Sequence, residues 1–127
     1  MSDLVAFLTA RLDEDEAAAR KSIEVVGREP WQADHWDEMH PADAAHFERW
    51  LPARVLREVD AKRRIVEDYR ISAAACRRVT GSALDSPGYR SMRGGRDAFR
   101  SACVSLAAAY SDHPDYPEAA AGKDGER

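Results

Sequence analysis

The chain has 127 residues and a mass of 14.1 kDa, with 44% hydrophobic and 33% charged residues, the size and balance of one domain that folds without disulfide or metal staples. Its net charge of −4 argues against a polyanion-coating protein. No stretch approaches the ~20 apolar residues of a membrane helix.

The charge is unevenly spread. Residues 1–52 carry 5 basic and 12 acidic groups, 53–100 carry 12 and 6, and 101–127 carry 2 and 5. That division predicts attraction within one molecule, or between two copies, before attraction to an external polyanion. Leu4 to Leu8 is a short apolar run without a basic leader, so no secretory signal is expected. Cys76 and Cys103 lack CxxC spacing and fall in helical patterns, which predicts buried free thiols and a cytoplasmic protein.

The first element is a helix over roughly residues 3–26. Ser2 is its candidate N-cap, Asp3 meets the positive end of the dipole, and Gly27 is a natural stop. Leu4, Leu8, Leu12, Ala19, Ile23 and Val26 trace one stripe. Asp13 to Glu16 form at least in part a solvated face.

Residues 27–51 show no clean period and read as a connector with one short helix. Pro41 fits its first position and Ala42 to Trp50 its body. Trp31, Trp36 and Trp50 predict a segment folded over the helices, or an exposed patch that recruits a partner.

Pro52 opens the strongest helical pattern. Val55, Val59, Lys62, Val66, Tyr69, Ala73, Cys76 and Thr80 form a heptad-like seam, with Gly81 as the expected C-cap behind Arg77 and Arg78. A helix of ~28 residues spans ~42 Å, against a diameter of roughly 36 Å for a globule of this length. It is expected to protrude or to pair with a second chain.

Residues 81–95, with Pro87-Gly88 and Gly94-Gly95, have the composition of a loop with a tight turn. A third helix is expected from Asp97, with Phe99, Ala102, Cys103, Leu106 and Tyr110 on one face, ending before Pro114. Residues 117–127 read as a flexible tail behind a single helical domain over 1–116.

Four constellations bear on chemistry. His35, His40 and His46 stand among acids and are possible metal ligands, yet their spacing of five and six is not that of one helix face. Asp112 and His113 form a possible acid–base pair, but no nucleophile motif or companion base accompanies them; a helix stop covered by Tyr110 and Tyr116 explains them more simply. The basic side of the second long helix, with Arg57, Arg63 and Arg64, is interrupted by Glu58, Asp60, Glu67 and Asp68, the pattern of a solvated face laced with ion pairs. Arg93-Gly94-Gly95-Arg96 is a single copy of an RGG-like fragment and reads as a flexible loop.

Three blocks carry a resemblance. They are Asp3-Leu4-Val5-Ala6-Phe7-Leu8 leading to Ala10-Arg11-Leu12-Asp13-Glu14-Asp15-Glu16, then Pro52-Ala53-Arg54-Val55-Leu56-Arg57-Glu58-Val59-Asp60-Ala61-Lys62-Arg63-Arg64-Ile65, and last Tyr110-Ser111-Asp112-His113-Pro114-Asp115-Tyr116. Together they resemble an uncharacterised family of short actinobacterial proteins, known only as a domain of unknown function. The resemblance implies that the three blocks form one domain and implies no activity. It also implies His-Asp just before the Pro52 block, where this chain has Trp50 and Leu51; His46 matches the first histidine of an i,i+4 pair whose partner is missing.

The expected architecture is all-α and helical-bundle-like: two long antiparallel helices plus a shorter third helix. The expected role is a protein–protein interaction or regulatory module. Its contacts would be Trp31, Trp36, Trp50, Arg57, Arg63 and Arg64, acting on a protein partner or in self-association through the long helix. Two alternatives are a small metal-dependent enzyme using the connector histidines with Asp112 and His113, and a nucleic-acid accessory protein. No cofactor is expected.

Overall fold

A computed structural model describes residues 3–26 and 39–121, which are helical and contain no strand. The fold is all-α. Among these residues no helix is long and apolar enough to cross a membrane. The helices are α1 (Asp3–Val26), α2 (Pro41–Arg49), α3 (Pro52–Arg77), α4 (Pro87–Ala107) and the short α5 (Glu118–Ala121), with 3₁₀ turns at Gly81–Asp85 and Ala108–Tyr110. The chain divides into two compact units, one of Met1–Arg11 with Lys62–Arg127 and the other of Leu12–Ala61.

The first unit is built on apolar residues spaced for helical turns. Leu4, Phe7 and Leu8 of α1, Val66, Tyr69, Ala73 and Cys76 of α3, and Cys103 and Ala107 of α4 are all buried. Each large side chain among them contributes about 1.5–3 kcal/mol by leaving water. The Cys103 thiol lies 4.0 Å from the Ile65 carbonyl oxygen, which it faces as a donor, so α4 meets α3 at that point. In the second unit Leu12, Ala19 and Val59 are buried.

The predicted stripe on α1 holds through Leu4, Leu8, Leu12 and Ala19, while Ile23 is half-buried. Gly27 and the side chain of Val26 lie outside the described residues, as does the connector with Trp31, His35 and Trp36. Along α3, Val59, Val66, Tyr69, Ala73 and Cys76 are buried within the chain itself. Both cysteines are free and buried.

Two expectations require correction. First, α3 ends at Arg77, four residues before Gly81; Gly81 instead opens the following 3₁₀ turn at φ +64°, a backbone state that favours glycine. Second, Pro87-Gly88 is not a turn and Arg93-Gly94-Gly95-Arg96 is not a loop, because both lie inside α4. Ser86 caps that helix by accepting the Tyr89 N–H at 3.1 Å, and Pro87 occupies the first turn, where its missing N–H costs nothing. The resulting helix has 21 residues against the 24 of α1 and 26 of α3, the shorter third helix that was expected. After the bundle helices, buried Pro117 accepts the Ala120 N–H at 2.9 Å through its carbonyl and starts α5.

Candidate functional site

The most specific side-chain cluster lies in the first unit. Helical spacing puts Phe7 and Arg11 one turn apart on α1, and both are buried, Arg11 to 7% exposure. At the other end of the sequence, the turn after Tyr110 is closed by His113 N–H donating to the Tyr110 carbonyl at 2.9 Å and Tyr116 N–H donating to the His113 carbonyl at 3.0 Å. This winding presents three rings to Phe7: Tyr110 at 6.2 Å, His113 at 5.7 Å and Tyr116 at 5.8 Å between centroids, each nearly perpendicular to it. Edge-to-face pairs of this kind each add about 0.5–1.5 kcal/mol beyond area burial.

Arg11 completes the cluster. Its guanidinium carbon sits 5.2 Å from the Phe7 centroid, and its Nη1 lies 2.6 Å from His113 Nδ1 and also contacts Nε2. The Asp115 N–H donates to the same Nδ1 at 3.0 Å. Donors from two directions make that nitrogen an acceptor and pin the ring, while Asp112 and Asp115 are exposed. The arrangement clasps the start of α1 to the end of the bundle by packing. Arg11 and Phe7 were not singled out from sequence; the available signal was an arginine standing four residues after a phenylalanine inside an apolar stripe.

The other proposed ligands are engaged separately. His40 is the N-cap of α2, its Nδ1 accepting the Ala42 N–H at 3.1 Å. His46, in the last turn of α2, packs edge-on against Phe47 at 5.8 Å. Among the described residues, no group of three or more His, Cys, Asp or Glu could hold a metal ion. His35 lies outside them.

The interaction candidates divide in the same way, since Trp31 and Trp36 lie outside the described residues. Trp50 caps the end of α2 through its N–H to the Phe47 carbonyl at 3.0 Å, and its indole lies under the Arg54 guanidinium at 4.9 Å. Arg54 in turn donates to Glu58 at 3.1 Å. None of the α2 residues is buried; Phe47 is 43% exposed and the adjoining Trp50 49%. Arg57 and Arg64 are exposed and Arg63 is half-buried. On the same helix Arg70 pairs with Glu67 at 2.6 Å, and its hydrogen bonds hold the Glu67 carboxyl below the usual glutamate value. Exposed i,i+3 and i,i+4 pairs of this kind belong to a solvated helix surface.

A model described as a family of unknown function (DUF6221) matches residues 1–121. No curated protein and no solved structure matches the chain.

Proposed function

The chain belongs to this family of unknown function, and we propose that it works by binding, as a small helical protein–protein interaction module that associates with a second copy of itself. One observation carries the reading: α2 buries none of its residues, yet it carries Phe47 and leads into Trp50, both large aromatics left nearly half exposed. Tryptophan and arginine are the residue types that most often anchor protein interfaces, and here the indole is already held flat under Arg54. A rigid aromatic loses little conformational entropy on binding.

Charge favours a second copy as the occupant. The unit Leu12–Ala61 carries 6 basic and 13 acidic groups, and the other unit 13 and 10. Two copies can therefore set acidic surface against basic surface reciprocally, as a closed twofold dimer requires. The burial of Val59, Val66, Tyr69, Ala73 and Cys76 of α3 within the chain supports contacts through other surfaces. Free thiols at Cys76 and Cys103 support a reducing, cytoplasmic setting for the module. The three sequence blocks named above serve in this reading as the family's recurring segments.

Analytical ultracentrifugation tests the reading. The expected result is a monomer–dimer equilibrium that weakens in high salt and weakens about 30-fold in Trp50→Ser. A strict monomer up to about 1 mM would defeat it.

A further inference from the structure

We propose that the two copies meet through a reciprocal helix contact, in which α2 of one protomer docks on the arginine face of α4 of the other. This rests on the self-association argued above and names the surfaces that carry it. On the donor helix, Asp43 and Phe47 stand one turn apart and both are exposed, so one face presents a carboxylate beside an aromatic ring, with exposed Trp50 just past the helix end. Glu48, next to Phe47 in sequence, is exposed on the flank of that face.

The receiving helix offers matching chemistry. Arg90 and Arg93 stand one turn apart on α4 and both are exposed, while Arg96 and Arg100, farther round the helix, are half-buried. Arg96 is tied to Asp97 at 2.9 Å, and Met92, one turn before Arg96, is 40% exposed. Methionine packs adaptably against aromatic rings, and guanidinium groups stack on tryptophan while pairing with carboxylates. Gly94 stands one turn after Arg90, and a Cβ added there would meet nothing within 4 Å. The surface of α4 is therefore low and open where an approaching helix needs space. The sign of the contact agrees with the charge of the two units, because α2 belongs to the acidic one and α4 to the basic one. Twofold symmetry repeats the contact, α2 on α4 and α4 on α2.

A charge-swap experiment on the full chain tests this. Arg90→Glu with Arg93→Glu, and separately Asp43→Arg with Glu48→Arg, change only exposed positions, and circular dichroism verifies that each variant keeps its helix content. Each variant alone should dimerise at least about tenfold more weakly than the wild type. Mixed together, the two should recover a heterodimer by sedimentation. If the wild type dimerises and the α4 variant dimerises equally well, the α2–α4 contact is wrong while self-association stands. If the wild type is monomeric, both are wrong. Should the α4 variant lose binding to a single-stranded oligonucleotide with its dimerisation unchanged, the arginine face serves a polyanion and the proposal falls.

Discussion

Cys103 has 0% exposure, and its thiol faces the Ile65 carbonyl inside the packed interior. A thiolate there would lose its hydration, so burial pushes the pKa of this group up. Reactivity follows the thiolate and its access, and both are reduced at this position. Native protein at about pH 8 should therefore alkylate at Cys103 at least tenfold more slowly than a free cysteine, with full labelling in denaturant. Peptide mass spectrometry after timed iodoacetamide treatment measures this, and equal rates in the native and denatured states would contradict the packing. The burial of both thiols is legible from sequence because cysteine inside an apolar helical stripe has few other fates. The histidines are less legible, since an imidazole can cap a helix, stack on a ring or bind metal, and sequence shows the residue without its neighbours. His40 accepts a backbone N–H, His46 packs on Phe47, and His113 is pinned between Arg11 and the Asp115 amide. Arg11 escaped notice for a related reason: a long charged side chain in a stripe ordinarily reaches out to water, and the His113 ring that meets it stands 102 positions away in sequence.

The helices differ in how plainly their sequences announce them. α1 and α2 have the expected spans, because apolar spacing, a proline in the first turn of α2 and Trp50 at its end all point the same way. α4 was half hidden, since three glycines between Gly88 and Gly95 mimic a loop and mask the Ser86-Pro87 start. Glycine costs a helix roughly 1 kcal/mol against alanine, and at Gly94 and Gly95 a methyl group would meet no neighbour. Gly94→Ala and Gly95→Ala should each stabilise the protein by about 1 kcal/mol and raise the melting temperature by about 4 °C. Gly81→Ala should do the opposite, because φ +64° costs an L-residue roughly 1–2 kcal/mol. Thermal unfolding followed by circular dichroism compares the three, and a destabilised Gly94→Ala would mean that residues 87–95 are not helical in solution.

The clasp around Phe7 joins the two ends of the sequence, with Arg11 and His113 separated by 102 positions. Closing so long a segment costs chain entropy that is recovered only when most of the intervening helices have formed. The aromatic contacts of Phe7 with Tyr110, His113 and Tyr116 are thus placed late on the folding path, although helical turns within α1 and α3 form from local contacts. A late contact stabilises by slowing unfolding and leaves the folding rate nearly unchanged. Phe7→Ala would cost about 3–5 kcal/mol, a large share of the stability of a domain this size. The conservative Phe7→Leu keeps the apolar volume and removes the ring, for about 1–1.5 kcal/mol. Stopped-flow measurement of Phe7→Leu in urea should show unfolding about tenfold faster, with folding changed less than about twofold. If the loss falls on the folding rate instead, the two ends of the chain meet early, and the clasp organises the bundle rather than sealing it.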